Sequence, residues 1–203
     1  VIELVVQQMA AWRRAGLPSL RMAINVSPAQ LKNGDLAAFL QRTLAAHVVE
    51  ATCLDIEITE VAMVDDSEAT KWQLAQLRAL GVRLIIDDFG AGYSSLSRLQ
   101  QLQVDGLKID KGFSGTLSRG SSTEALYRAT IWMASAFDLE VVAEGVETVE
   151  QLQVLLDIGC NAVQGNLMSP ALPADEAARF AHQRQASPFD WQTLPLLALV
   201  AAI

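Results

Sequence analysis

The chain has 203 residues, of which 51% are hydrophobic and 19% charged, so it is long enough for one domain with a sizeable core. Its net charge of −8 disfavours binding to duplex nucleic acid or to an anionic membrane surface, although bound divalent cations would still allow an anionic substrate. No apolar run reaches the roughly 18 residues that a membrane span needs. We therefore predict no membrane insertion by this segment and a cytoplasmic location, with any membrane tether lying elsewhere in a longer parent protein.

Helical and strand-like patterns alternate along the chain. In order, the predicted elements are a helix to about residue 15, a strand over 21–26, a helix over 31–47, a strand over 54–59, a helix that begins at Asp66 or Ser67 and ends before Gly81, a strand over 82–87, a helix over 94–102, a strand over 106–110, a helix over 122–137, a strand over 140–143, a helix over 148–158, a strand over 162–165 and a helix over 174–184. Short links between alternating strands and helices predict parallel strands with right-handed crossovers.

About six strands are visible, whereas a complete TIM-like (β/α)8 barrel has eight. The predicted fold is an α/β barrel over residues 1–184 that lacks its N-terminal strands, which would precede Val1. An open doubly wound sheet is the alternative, but no glycine fingerprint of a dinucleotide fold follows the first strand. Residues 185–203 form a C-terminal apolar tail without an assigned structure. We expect its last part, Leu194–Ile203, to cover part of the gap left by the missing strands or to mediate dimerisation, and the alternative is a disordered end.

Each predicted strand has a polar residue at or near its carboxyl end. Successive strand residues face opposite sides of a sheet, so these residues share one side and their apolar neighbours face the helices. The six polar residues are Asn25, Glu57, Asp87, Lys108, Glu144 and Gln164. In a barrel such ends converge on the face that holds the active site. We therefore predict a functional site there.

The most informative strand end is Asp87-Asp88, where a buried apolar strand stops at two adjacent carboxylates. Two acidic groups at such a position repel each other and lose hydration, so a cation between them would make the arrangement stable. The alternative is that Asp88 caps the next helix while Asp87 remains solvated.

Oxygen donors dominate these strand ends, and the two histidines, His47 and His182, fall on predicted helices. Oxygen ligands favour Mg²⁺ or Mn²⁺ over zinc. With a shared carboxylate the set could hold two ions, an arrangement suited to phosphoryl-transfer hydrolysis. Lys108 would stabilise charge on the phosphate or orient the water, and the alternative for Lys108 is a plain salt bridge to a neighbouring carboxylate.

Six segments together resemble a known family. They are Asn25-Val26-Ser27, Glu57-Ile58-Thr59-Glu60, Asp87-Asp88-Phe89-Gly90-Ala91-Gly92-Tyr93-Ser94-Ser95-Leu96, Lys108-Ile109-Asp110, Glu144-Gly145-Val146-Glu147-Thr148 and Gln164-Gly165. Their order and spacing, over residues 1 to about 175, are similar to those of the EAL-domain family of bacterial cyclic di-GMP-specific phosphodiesterases. The resemblance implies a (β/α)8 barrel that cleaves one phosphodiester bond of cyclic di-GMP to give linear pGpG with two Mg²⁺ or Mn²⁺ ions.

The resemblance also implies a ligand set for the two ions. By position, Asn25, Glu57 and Asp87 match the ligands of one ion. Asp87 and Asp88 match those of the other, and Glu144 completes the second site. The glutamate of the Glu-Ala-Leu strand would be a further ligand, and that strand is expected to lie before Val1 together with a substrate-contacting arginine.

Other matched residues imply roles in catalysis, substrate binding and dimerisation. Lys108 matches the lysine beside the nucleophilic water, while Glu147 and Gln164 match residues that support the metal site and contact a guanine. Glu60 matches the glutamate that anchors the loop over residues 89–95, which couples dimerisation to metal binding in this family. Phe89, Gly90 and Gly92 belong to that loop, and the glycines would permit its movement.

The chain departs from the family pattern at four positions. Ala91 replaces a more usual threonine, and Gly112 replaces a more usual serine. Asn166 and Met168 stand where aromatic residues are common, which puts stacking near the ligand in doubt.

The leading hypothesis is thus a metal-dependent cyclic di-GMP phosphodiesterase that forms a homodimer and is fused to sensory or GGDEF-type domains. Two alternatives remain: a catalytically inactive cyclic di-GMP receptor or signalling domain, and an unrelated metal-dependent barrel hydrolase. The upstream glutamate would separate the first alternative from the enzyme, and cyclic di-GMP binding would separate the second.

Overall fold

The structure, a computed structural model, describes residues 1–17, 20–32, 35–92, 99, 101–185, 196–197 and 201–202. Over these residues the chain is α/β. The helices are α1 (Ile2–Arg14), α2 (Pro28–Lys32), α3 (Leu36–His47), α4 (Glu60–Val64), α5 (Glu68–Leu80), α6 (Lys111–Ser114), α7 (Ser122–Ala136), α8 (Val149–Asp157) and α9 (Ala174–Gln185). The strands are β1 (Met22–Val26), β2 (Leu54–Thr59), β3 (Arg83–Phe89), β4 (Gly106–Ile109), β5 (Glu140–Ala143), β6 (Ala162–Val163), β7 (Leu172–Pro173), β8 (Leu196–Leu197) and β9 (Ala201–Ala202).

Two compact units divide the chain. The first unit comprises residues 1–85, 173–187 and 201–203, and the second comprises residues 86–172 and 188–200. In the first unit β1 and β2 pair in parallel, with Asn25 opposite Glu57. Ile24, Ile56 and Ile58 on these strands are 3% exposed or less, so the apolar face of each strand packs in the core as the alternation of the sequence predicts.

In the second unit β4, β5 and β6 are also parallel neighbours, with Lys108 opposite Val142 and Ala143 opposite Val163. Leu107, Ile109 and Val141 are almost completely buried. Since parallel neighbours end at the same edge, the residues that follow β4, β5 and β6 lie beside one another. This edge carries Glu144 and Gln164.

Several helix ends follow the signals read from the sequence. Ser67 caps α5 by accepting a hydrogen bond from the amide of Thr70, and Gly81 ends that helix with a left-handed φ of 90°. Thr148 and Gln151 form a capping box at the start of α8. The predicted cap at Ser67 and the predicted end at Gly81 are confirmed, because such groups bond within their own turn and depend little on tertiary contacts. The capping box at Thr148 was not predicted.

Several short elements differ from the predictions. The single helix predicted over residues 31–47 is two helices, α2 and α3, since Asn33-Gly34-Asp35 are poor helix formers. The helices α4 and α6 were not predicted, because each has only four or five residues and directly follows a strand. The helix predicted over residues 94–102 lies largely outside the described residues.

Of the predicted tail over residues 185–203, the structure describes Gln185, which ends α9, and the two strands β8 and β9. β8 pairs in parallel with β6, and β9 pairs with β7. The proposed boundary between the barrel and the tail at residue 184 stays a prediction. Among the described residues, the helices are too short or too polar to cross a membrane.

Candidate active site

Three carboxylates of the second unit lie close together. Asp87 and Asp88 are near the end of β3, and Glu144 directly follows β5. Each offers an oxygen atom, and these oxygens are within 4.8 Å of one another. Three negative charges at this spacing repel one another strongly unless a cation or protons neutralise them. The donor set is therefore suited to a hard divalent cation.

Lys108 on β4 contacts two of these carboxylates with its ammonium group. Its ammonium Nζ is 2.5 Å from Glu144 Oε1 and 3.5 Å from Asp87 Oδ1. The lysine is 6% exposed, so its charge sits in the interior and is balanced by the two carboxylates. The sequence analysis gave Lys108 either a role in the reaction or a plain salt bridge to a neighbouring carboxylate. The observed ion pairs agree with both interpretations.

Asp87 keeps one oxygen atom without a hydrogen bond. Oδ1 is buried and has no hydrogen-bond partner among the described residues, although it faces Lys108 at ion-pair distance. Buried carboxylate oxygens are normally satisfied by donors, water or a metal ion. This unsatisfied atom beside two further carboxylates fits a metal ligand.

The surroundings of Glu144 and Asp88 raise the pKa of both carboxyl groups. Burial raises the pKa of Glu144, and the nearby Asp87 and Asp88 add to that effect while Lys108 opposes it. Loss of hydration likewise raises the pKa of Asp88, with further contributions from the charges of Asp87 and Asp110. A bound cation would stabilise the ionised forms and so oppose both shifts.

The loops after β5 and β6 are joined through their backbones. Gln164 N donates to the carbonyl of Ala143 at 2.8 Å, and Gln164 O accepts from Val146 N at 3.0 Å. A Cβ at Gly165 would collide with the carbonyl oxygen of Val146, so only glycine permits this approach. Gln164 thus lies beside the segment of Glu144, as predicted, while Glu147 is exposed at the end of that segment.

Asn25 and Glu57 form a separate pair in the first unit. The two residues are direct neighbours on parallel strands β1 and β2. Asn25 is exposed, whereas Glu57 is only 6% exposed. The structure thus brings these two predicted ligands together within their own unit.

Comparison with known proteins identifies the family. The family model described as EAL domain matches residues 1–171. This chain belongs to the EAL family. The bifunctional diguanylate cyclase/cyclic di-GMP phosphodiesterase MucR of Pseudomonas aeruginosa is 37% identical over 176 residues, which are 87% of this chain and 26% of MucR.

Solved structures agree with this assignment. The EAL domain of DcpA from Mycobacterium smegmatis has 36% identity and a TM-score of 0.84, with 89% of this chain and 82% of that chain covered. The PaMucR phosphodiesterase in complex with c-di-GMP has 38% identity and a TM-score of 0.74, with 81% and 73% covered. The predicted fold class, an α/β TIM-like barrel, is confirmed by these similarities. This EAL domain spans only 25% to 30% of the length of the first curated relatives it matches.

Four polar residues of this EAL domain near the three carboxylates were not predicted from the sequence as site residues. Asp110 caps α6 by accepting from Gly112 N at 2.8 Å, and its side chain also contacts that of Asp88. Its position directly after β4 was the available signal. Ser114, Tyr127 and Gln151 form a buried network around the backbone of Glu144, and their spacing in the sequence offered no signal.

The predicted anchor and loop residues are only partly described. Glu60 begins α4 and is 4% exposed, which is uncommon for a carboxylate. Phe89 is buried at the end of β3, and Gly90 has a φ of 98°, where a Cβ would lie 3.1 Å from the ring of Phe113. Gly92 is exposed, and the remainder of the predicted loop, residues 93–95, lies outside the described residues.

Proposed function

We propose that this EAL domain hydrolyses one phosphodiester bond of cyclic di-GMP and produces linear pGpG with the help of two Mg²⁺ or Mn²⁺ ions. The observation that carries the proposal is the group of Asp87, Asp88 and Glu144 oxygens beside the buried Lys108 ammonium. The relative MucR, which is named a cyclic di-GMP phosphodiesterase, supports the substrate.

The proposed metal ligands are Asp87, Asp88 and Glu144 in the second unit, and Asn25 with Glu57 in the first. When bound, divalent ions would lower the pKa of a bound water and neutralise charge on the phosphate. The unsatisfied Asp87 Oδ1 supports this use, because a buried carboxylate oxygen without a hydrogen bond has a coordination position to offer.

Besides the proposed metal ions, the side chain of Lys108 brings positive charge to the site. Its ammonium group has three protons and contacts Glu144 and Asp87 from a buried position. In the proposed reaction the ammonium orients the attacking water and stabilises the charge that builds up on the phosphate oxygens. Glu144 and Asp87 balance the charge of Lys108 and fix the direction of its ammonium group.

Substrate recognition is proposed for Gln164 and Glu147. Gln164 is held by two backbone hydrogen bonds at the edge that carries Glu144, which leaves its side-chain amide free to form the donor and acceptor bonds that a guanine edge requires. Glu147 is exposed on the same segment as Glu144 and would contact the guanine or support the metal site.

Dimerisation is proposed through the exposed face of α7. Trp132 and Leu126 of α7 are 77% and 38% exposed, and Phe137, which directly follows the helix, is 37% exposed. A helix with few charges thus presents apolar side chains to solvent. Such a face is typical of a protein–protein contact. The partner that we propose is a second copy of this domain, because the family resemblance implies a homodimer. We propose that this contact is coupled to the metal site by the loop anchor Glu60 and the loop residues Phe89, Gly90 and Gly92.

Fusion to a GGDEF-type domain is proposed for the parent protein. The relative MucR supports it, because its name includes a diguanylate cyclase.

The deciding experiment measures turnover of cyclic di-GMP in the presence of Mn²⁺, with linear pGpG separated chromatographically. Asp87→Asn and Glu144→Gln should each lower kcat by at least about 100-fold, because each removes a proposed ligand. The matched control is Asp157→Asn, which neutralises a surface carboxylate paired with Arg119 and should keep turnover within about twofold.

Turnover that survives both substitutions would contradict the assignment of these ligands. Tight binding of cyclic di-GMP without any turnover by the full-length protein would instead assign the receptor function. If the full-length protein neither binds nor cleaves cyclic di-GMP, the unrelated hydrolase becomes the better description.

A further inference from the structure

Ser114 connects the backbone of Glu144 to the interior of the second unit. Ser114 lies on α6 and is completely buried. Its hydroxyl donates to the carbonyl oxygen of Glu144 and lies 2.8 Å from the hydroxyl of Tyr127. A carbonyl oxygen can only accept, so Ser114 gives its single proton to Glu144, and Tyr127 must donate to Ser114 Oγ. The two hydroxyls therefore form a directed chain that ends on Glu144.

A second arm runs from the same serine to the other end of the segment. The Ser114 carbonyl accepts a hydrogen bond from Gln151 Nε2 at 2.8 Å. Gln151 Oε1 in turn accepts from the backbone amides of Glu147 at 2.8 Å and Thr148 at 3.0 Å. Both ends of the segment 144–148 are thus tied to one buried residue.

This segment determines where the Glu144 carboxylate lies. Gly145 has a φ of 65°, and a Cβ there would be 2.8 Å from the Cβ of Lys111, so only glycine fits at the position next to Glu144. The carboxylate itself contacts Lys108 and lies near Asp87 and Asp88. A shift of the Glu144 carbonyl would move the carboxylate relative to these three groups.

The burial of Tyr127 argues that its hydroxyl has a purpose beyond packing. Tyr127 is 0% exposed, and burial raises its pKa to about 12, so it stays a neutral donor. A phenylalanine would fill nearly the same volume without the cost of burying a hydroxyl. The hydrogen bond to Ser114 offsets the cost of burying the hydroxyl, and it also constrains the position of Ser114.

We propose that Ser114, Tyr127 and Gln151 are positioning residues that hold the Glu144 carboxylate in the geometry required for metal binding. This role rests on the proposed metal site. None of the three touches the metal or the substrate in this proposal; they act through the backbone of Glu144 and its segment. Side chains that orient a ligand in this way commonly change metal affinity tenfold or more when removed.

The test compares Tyr127→Phe and Ser114→Ala with the unmodified chain by calorimetric titration of Mn²⁺ in the absence of substrate. Each variant should bind Mn²⁺ about tenfold more weakly. The double variant should be no weaker than Ser114→Ala, since the Tyr127 bond acts only through Ser114. Ser114→Thr, which retains a hydroxyl, should restore most of the affinity.

The matched control is Thr43→Val, which removes a poorly exposed hydroxyl bonded to the Phe39 carbonyl in the first unit and should leave Mn²⁺ affinity unchanged. Mn²⁺ affinities of Tyr127→Phe and Ser114→Ala within twofold of the unmodified chain would overturn the positioning role while leaving the proposed function intact. If Ser114→Ala does not fold, Tyr127→Phe, which lacks a single hydroxyl, decides alone. A failure of the unmodified chain to bind Mn²⁺ would contradict the metal site and this role with it.

Discussion

Lys108 shows how one side chain can serve both the fold and the proposed chemistry. The lysine is buried and contacts two carboxylates, so its charge is compensated within the second unit. Removing one partner of a buried ion pair usually costs several kcal/mol because the other charge is left alone. A Mn²⁺ ion bound by the same carboxylates would reduce this cost, because it would balance their charge in place of the lysine. In the presence of Mn²⁺ a loss of activity would then report the catalytic role of Lys108 and not its structural role.

Replacement of Lys108 by methionine should therefore affect rate more than binding. In the full-length protein with Mn²⁺, we expect Lys108→Met to lower kcat about 100-fold or more and to change KM for cyclic di-GMP little, because the ammonium acts mainly on charge that develops during the reaction. Lys71→Met, at an exposed lysine paired with Asp66 and Glu68, is the control. A raised KM with an unchanged kcat would assign Lys108 to substrate binding alone.

Asp88 carries two local penalties in the metal-free protein. Its φ of 55° lies in the left-handed region, and loss of hydration together with the charges of Asp87 and Asp110 raises its pKa. Since the folded state holds a proton at Asp88 more tightly than the unfolded chain does, ionisation of this group costs stability as the pH rises through the raised pKa.

Asp88→Asn should therefore raise the Tm of the metal-free protein at pH 7. Asparagine tolerates the left-handed conformation and carries no charge. The gain should vanish below about pH 4, near the ordinary aspartate pKa, where Asp88 is protonated in both states. Thermal unfolding in EDTA and in Mn²⁺ measures both the gain and the expected loss of Mn²⁺ stabilisation.

Asp157 offers the opposite sign as a control for this experiment. A hydrogen bond from Arg119 lowers the pKa of Asp157, so ionisation there favours the folded state above the ordinary aspartate pKa. Asp157→Asn should consequently not raise Tm at pH 7. If Asp88→Asn lowers Tm at every pH, the repulsion argued for the acidic group is wrong.

At the level of elements, the loops after β5 and β6 are fitted to each other at Gly165. A Cβ at this position would collide with backbone atoms of Val146, and backbone cannot swing aside as a flexible side chain can. Val146 stands between Glu144 and Glu147 and is itself 0% exposed. The close approach of the two loops therefore fixes the segment that carries two of the predicted site residues.

Gly165→Ala should destabilise the protein by about 2 kcal/mol or more, through overpacking against a rigid backbone. For a chain of this size the expected loss in Tm is about 4–8 °C, with weaker Mn²⁺ binding as a second effect. Gly115→Ala is the matched control, because nothing lies within 4 Å of its Cβ position and its φ of −59° suits alanine. A Tm of Gly165→Ala equal to that of the control would contradict the contact.

Most longer elements were predictable because their determinants are local. The capping residues Ser67 and Thr148, the terminating Gly81 and the alternation in β1 and β2 each act within a few residues of sequence. The short α4 and α6 were not predictable in this way. Their stability comes from packing, for example of the completely buried Ser114, and not from a periodic pattern.

On the scale of the whole molecule, α7 buries few of its residues against the part of the chain that the structure describes. Of its fifteen residues only Tyr127 and Ala134 are buried, and its two charged residues, Glu124 and Arg128, pair with each other. The remaining exposed surface is largely apolar. This composition supports the proposed dimer contact.

Trp132→Glu should therefore shift the protein from dimer to monomer, because a charge would be placed in an apolar contact. Light scattering coupled to size exclusion measures the mass directly. Trp72→Glu, at a tryptophan of α5 that is 55% exposed, is the matched control and should leave the mass unchanged. A monomeric mass for the unmodified protein at all concentrations would contradict the dimer.

The sequence by itself determined the α/β class, the family and the residues at the strand ends, because strand alternation and motif spacing are properties of neighbouring residues. Glu57, Asp87, Lys108 and Glu144 were identified in this way. Only the tertiary structure decided that Lys108 pairs with Glu144 more closely than with Asp87, and that Ser114 and Tyr127 hold the Glu144 backbone. These contacts join residues 13 to 36 positions apart, and no local pattern encodes which of many buried hydroxyls or carboxylates will meet once the strands and helices have packed.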